Sequence, residues 1–196
     1  MKKLFLLLFF ITGFSSSQTW GADFAKGLAA AQRGDYATAL KEWTPFAEQG
    51  FAQAQHNLGQ FYRLGLGVPQ NYKTAVKWYT LAAEQGSIPS QSNLGVIYNK
   101  GSGVPQDFKT AVKWFTLAAE QGFAEAQTNL SLNFALGNGV RRDTVYAYMW
   151  ASLGRANGEK TAGKVINQLV KEMTPSQIEK AQDLARECVK KNYKGC

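Results

Sequence analysis

Few residues in this chain could do chemistry at the spacing that chemistry needs. His56 is the one histidine in the sequence, and any Ser-His-Asp or Cys-His catalyst would have to use it. The two cysteines are Cys188 and Cys196, the latter at the end of the sequence. Two thiols that close, in an exported chain, suggest one local disulfide. Alone they make a poor metal site, and their spacing is not that of a redox motif. The segments Gly65-Leu66-Gly67 and Gly101-Ser102-Gly103 sit between helical stretches and bind no phosphate by motif; they read as helix terminators. No S-x-x-K, nucleophile elbow or metal-ligand cluster accompanies them. No catalytic residue, metal or cofactor is therefore expected.

The elements that would position such residues are repeats. Ala54-Gln55-His56-Asn57-Leu58-Gly59 recurs as Ser90-Gln91-Ser92-Asn93-Leu94-Gly95 and as Ala126-Gln127-Thr128-Asn129-Leu130-Ser131, each at a step of 36 residues. Gly67 to Tyr72 recurs as Gly103 to Phe108, and Ala75 to Gly86 recurs almost unchanged as Ala111 to Gly122. An earlier copy runs from Ala39 to Gly50, and a worn later one begins at Ala147-Tyr148-Met149-Trp150. His56 thus shares its slot with Ser92 and Thr128, which marks a variable position rather than a catalytic one.

Each unit reads as two helices. Ala54, Leu58 and Tyr62 lie four apart and share a face, as do Ala126, Leu130 and Phe134. Ala75, Trp78, Tyr79 and Ala82 form the stripe of the second helix, which puts the recurring Trp78 and Trp114 in the core. Asn71, Asp107 and Asp143 stand where an N-cap is needed. Asn57, Asn93 and Asn129 recur in apolar surroundings and are expected to hydrogen-bond between repeats. One pair cannot bury its apolar face alone, so the pairs must stack. The fold class is all-α, a right-handed α-solenoid of antiparallel helix pairs with a C-terminal capping helix. The expected divisions are 1–22 (signal peptide), 23–50 (first pair), 51–86, 87–122, 123–158 (a degenerate repeat) and 159–196 (capping helices with the disulfide). In the last of these, a helix is expected around Thr161 to Met173. Thr174-Pro175-Ser176-Gln177 then spells a capping box for the helix that follows.

Lys2 and Lys3, the apolar run from Leu4 to Phe14 and the polar Ser15-Ser16-Ser17 have the layout of a secretory signal, too short to span a bilayer. Cleavage after Gly21 or Ala22 is expected, with no lipid anchor and no membrane span in the mature chain. Formal charge is +8. The basic residues are dispersed apart from Lys190, Lys191 and Lys194, and this, with export, argues for a solubilising surface and against a nucleic-acid partner.

The motif A-Q-x-N-L-G, then G-x-G-V-P-Q-[ND]-[YF], then A-[VL]-K-W-[YF]-x-x-A-A-E-Q-G resembles the Sel-one-like repeat, a relative of the tetratricopeptide repeat. That resemblance implies a scaffold for protein or peptide partners, with the first helix of each unit lining a concave surface. Positions that change between repeats on one face of those helices are His56, Gln60 and Arg63, then Ser92, Val96 and Asn99, then Thr128, Leu132 and Ala135. They are the expected floor of a partner groove. The partner would be another protein or peptide of the bacterial envelope, the location periplasmic before secreted or surface-exposed, and the chain a monomer. Two rival readings are a β-lactamase-like hydrolase and a secreted host-interaction factor. The cysteine-rich relatives behind the hydrolase reading carry a disulfide in each helix pair, whereas residues 23–187 here contain no cysteine.

Overall fold

The computed structural model describes residues 16–196, with side chains from Phe24 onward. Residues 1–15 of the segment read as a signal peptide lie outside this description, and the expected cleavage junction falls within the backbone of the first helix. Among the described residues ten helices follow one another: α1 (Ser16–Gln32), α2 (Tyr36–Glu48), α3 (Ala52–Leu64), α4 (Tyr72–Glu84), α5 (Ile88–Lys100), α6 (Phe108–Ala119), α7 (Ala124–Leu136), α8 (Thr144–Ala156), α9 (Ala162–Leu169) and α10 (Pro175–Lys190). Each helix packs on the next through α9, and α10 returns onto α8. This is the α-solenoid of paired helices that the repeats call for. Among the described residues no helix is long and apolar enough to cross a membrane.

Local signals set the boundaries. The side chains of Asp35, Asn71, Asp107 and Asp143 accept hydrogen bonds from backbone N–H groups in the first turns of α2, α4, α6 and α8, which satisfies donors the helix itself leaves open. Gly65 ends α3 with φ at 72°, a conformation that costs a residue with a side chain 1 kcal/mol or so. The second glycine of each link has a different task. A Cβ on Gly139 would stand 2.3 Å from the Phe108 carbonyl oxygen, so this glycine lets the link lie against the second helix of the preceding repeat. At the C-terminal end, Thr174 and Gln177 form the expected capping box of α10. The helix expected around 161–173 is shorter than the sequence suggested, ending at Leu169.

Small residues set against large ones bring the two helices of a pair close together. A Cβ added to Gly59 would lie 2.6 Å from the Tyr79 ring, and one on Gly95 would lie 2.5 Å from the Phe115 ring. In the next repeat the same two positions are Ser131 and Ala151, both fully buried. As the first-helix residue grows, its partner shrinks, which keeps the volume between the helices filled. Tyr79 and Phe115 are 0% and 1% exposed. Trp78 and Trp114, expected in the core, are half-buried instead, with Lys77 and Lys113 over their rings. The aromatic that fills the core is the neighbouring residue, about 100° further round the helix. Of the three tryptophans at this repeat position only Trp150, in the last repeat, is buried; Trp43, also buried, takes the place in the first pair that Tyr79 has in the next repeat.

The hydrogen bonds that register the repeats run through glutamines, not through the asparagines expected to carry them. Asn57 accepts from Gln53, Asn93 donates to the Pro89 carbonyl, and the Asn129 carbonyl accepts from Asn133; all three contacts stay within one helix. Gln55, Gln91 and Gln127 are buried. Their Nε2 groups donate to the carbonyls of Ala47, Ala83 and Ala119 in the preceding repeat, at 3.0, 3.1 and 3.1 Å. Their Oε1 atoms accept from Gln85, Gln121 and Asn157 at the end of their own repeat's second helix, at 2.8, 2.8 and 2.9 Å.

The C-terminal tail closes on the last rung of this row. The Cys188–Cys196 disulfide holds it, with Cα atoms 5.5 Å apart, and loop entropy alone makes such a bridge stabilising by about 2.5 kcal/mol. The Tyr193 hydroxyl donates to Asn157 Oδ1 (3.1 Å), and the Gly195 N–H donates to Glu120 (2.9 Å).

The paired sizes of residues 95 and 115 are testable by a double-mutant cycle in chemical denaturation. Gly95→Ser alone should cost at least about 1 kcal/mol by overpacking and Phe115→Ala alone about 3–5 kcal/mol. The double variant, which copies the Ser131–Ala151 pair, should cost at least about 1 kcal/mol less than the two added together. Strict additivity would show that the two positions do not share a space.

Candidate functional site

Among the described residues, the one contact that looks catalytic is between His56 and Ser90. His56 Nδ1 lies 2.8 Å from Ser90 Oγ, and Ser87 donates its hydroxyl to the same Oγ at 3.0 Å. A serine beside an imidazole is the start of a nucleophile. Ser90, however, is 0% exposed, so its hydroxyl meets no substrate from solvent. The contact ties α3 to α5. The His56 ring also lies 5.6 Å from that of Tyr79, whose hydroxyl accepts a hydrogen bond from Arg63 Nε (3.2 Å). Burial, and then the nearby Arg63 charge, lower the His56 pKa from its ordinary value and favour the neutral ring.

The nine positions expected to floor a groove divide in two. Ser92 and Thr128 are only 3% and 4% exposed. Thr128 donates to the Ala124 carbonyl and stands where a Cβ on Gly154 would be, while Ser92 Oγ has no hydrogen-bond partner among the described residues. With His56, their row therefore faces neighbouring helices rather than an open groove. The other six, Gln60, Arg63, Val96, Asn99, Leu132 and Ala135, are at least partly exposed on the first helices.

Two hollows mark the ends of that face. One, about 470 Å³, lies between α1, α2 and α3; Phe24, Leu28, Trp43 and Phe61 form its apolar wall, and Asn57 and Gln60 its rim. The other, about 360 Å³, lies between α7 and α9 and is lined by Leu132, Ala135, Leu136, Val165 and Leu169, with the Arg142–Glu172 ion pair at its edge. Sequence comparison missed Leu28 and Leu136, which are 46% and 67% exposed. The signal for Leu136 was present: it shares a repeat position with Leu64 and Lys100, one residue beyond the row formed by Arg63, Asn99 and Ala135.

Comparison with known proteins decides the family. The Sel1 repeat model matches residues 52–87, 88–123 and 124–159. The chain belongs to the Sel1 repeat family. Among solved structures it is similar to a Sel1 repeat protein from Oxalobacter formigenes, with 32% identity over 85% of this chain and 70% of that one, at a TM-score of 0.69. It is also similar to a protective antigen of uropathogenic Escherichia coli strains with an SLR fold. That match has 26% identity and a TM-score of 0.54, over 89% of this chain and 47% of that one. No curated protein matches. The Sel1 repeat fold is typically a scaffold for protein–protein contact.

The lowered His56 pKa makes a pH prediction. The unfolded chain takes up the histidine proton near pH 6.5, whereas the folded chain resists it. Stability attributable to His56 is therefore full above about pH 6.5 and declines as pH falls towards the lowered folded value. Asp35 and Asp107, held low by hydrogen bonds from Thr38 and Thr110, act in a separate window below about pH 4. Denaturation midpoints measured from pH 7.5 to 5 should fall more steeply for the wild type than for His56→Gln. Parallel slopes would mean that His56 is solvated.

Proposed function

We propose that this Sel1 repeat protein is an exported, non-catalytic scaffold that holds another protein or peptide of the bacterial envelope on the exposed face of its first helices. The observation that carries this reading is the pair of apolar hollows at the two ends of that face, joined by half-exposed polar side chains on α3, α5 and α7. Export is supported by the basic-then-apolar sequence at the N-terminus and by the Cys188–Cys196 disulfide, since disulfides persist in oxidising compartments. The chain is proposed to act as a monomer, because the glutamine row and the terminal latch close the stack within one molecule.

A second reading keeps the same face and changes the location. One structural neighbour is a protective antigen of uropathogenic strains, which favours a secreted or surface-exposed host-contact role. Protease added to intact cells separates the two, since a periplasmic chain is shielded and a surface one is cut.

The binding face is tested by charge reversal. Lys100→Glu with Leu136→Glu changes only exposed side chains of α5 and α7. This variant should keep the wild-type thermal midpoint and lose at least about tenfold in recovery of the crosslinked native partner, the effect of about 1.4 kcal/mol. Lys73→Glu with Leu117→Glu, on the second helices, should leave recovery unchanged. Loss of recovery in the second variant and not the first would place the partner on the other face.

A further inference from the structure

The two hollows and the surface between them describe a ligand more narrowly than a scaffold role requires. The first hollow lies between α1 and α3 and the second between α7 and α9, so three helix-to-helix steps separate them. At roughly 9 Å a step the centres stand about 27 Å apart. An extended chain advances about 3.3 Å per residue, so about eight residues bridge them. An even count is required, because alternate side chains of an extended chain point the same way and both anchors must point down. A helix would need about 18 residues to cover the distance.

The floor between the hollows favours the extended form. Asn57, Asn93 and Asn129 stand one repeat apart, half-buried on the first helices. Such a row of side-chain amides serves a chain whose own N–H and C=O groups are open, and offers little to a helix whose groups are already paired. The same stretch carries Arg63 and Lys100. Among the described residues no carboxylate pairs with either, and Arg63 spends only its Nε on the Tyr79 hydroxyl. Charge complementarity therefore calls for acidic side chains in the middle of the ligand.

We propose that the first-helix face takes an extended peptide segment with two apolar anchor residues about eight positions apart and acidic residues between them. This rests on the reading of that face as the binding surface. It adds a length, a backbone conformation and a charge pattern to the partner.

The test uses fluorescently labelled synthetic peptides and the purified mature chain, read by anisotropy. One series places two leucines about four, eight or twelve positions apart in an Asp/Gly/Ser background. A second series replaces each Asp by Lys, and a single-leucine peptide serves as reference. The eight-position acidic peptide should bind at least about tenfold more tightly than the other spacings, the single-leucine peptide and its lysine counterpart. Leu136→Glu should bring its affinity down to that of the single-leucine peptide, and Lys100→Glu should narrow the gap between the Asp and Lys series. Equal affinity at every spacing, a preference for lysine, or no binding by any peptide would overturn the proposal. A photo-crosslinker placed at Gln60, and separately at Lys73, in the cell distinguishes the two levels of failure. Crosslinking at Gln60 with a flat peptide series would leave the binding face standing and point to a folded surface as the ligand. Crosslinking confined to Lys73 would remove both.

Discussion

Everything this molecule presents depends on a buried side-chain amide placed once in each repeat. Gln55, Gln91 and Gln127 each join three segments: the helix they sit on, the last turn of the preceding second helix, and the end of their own second helix. A buried amide is expensive to leave unpaired, at about 1–3 kcal/mol per open group. The glutamine therefore favours one offset between neighbouring repeats over any slip along the shared apolar surface. Apolar packing supplies most of the stabilisation, but it is not directional; the amide supplies the direction. The last rung uses Asn157, which Tyr193 from the disulfide-held tail also binds. The end of the chain thus closes the same row that begins beside α2.

Once the offset is set, the faces sort themselves. Glycine or serine on a first helix opposite an aromatic or alanine on its partner closes each pair tightly. The second helices then carry lysines and half-buried tryptophans outward. The first helices are left with a face that has no partner among the described residues, bounded by α1 at one end and α9 at the other, and those boundaries make the two hollows. Geometry that serves stacking thereby leaves a row of side chains one repeat apart. Such a surface can vary residue by residue without disturbing the rungs beneath it.

Much of this was legible in the sequence, because much of it is local or periodic. The N-caps, the left-handed glycine after α3, the capping box at Thr174 and the pairing of Cys188 with Cys196 each depend on a few neighbouring residues. What the sequence could not settle was the rotation of each helix about its axis. Gln55 and Asn57 recur in the same motif and differ by about 200° around the helix, so recurrence alone does not say which one faces the preceding repeat. Trp78 and Tyr79 pose the same problem over a single step. The groove positions failed in a related way at Ser92 and Thr128. Both are buried, and at Thr128 the larger side chain takes the space that Gly154 leaves open; in a sequence, variation at a buried position looks the same as variation that serves a partner.

The glutamine row is tested most directly by hydrogen exchange on Gln91→Leu beside Asn93→Ala. Gln91→Leu keeps the volume and removes both bonds. It should lose about 2 kcal/mol of stability and split the protection pattern, with amides of α5 to α10 exchanging separately from those of α1 to α4. Asn93→Ala should stay within about 0.5 kcal/mol of the wild type and exchange as one unit. A Gln91→Leu protein as stable and as cooperative as the wild type, beside an Asn93→Ala protein that is neither, would return the registering role to the asparagines and contradict the account.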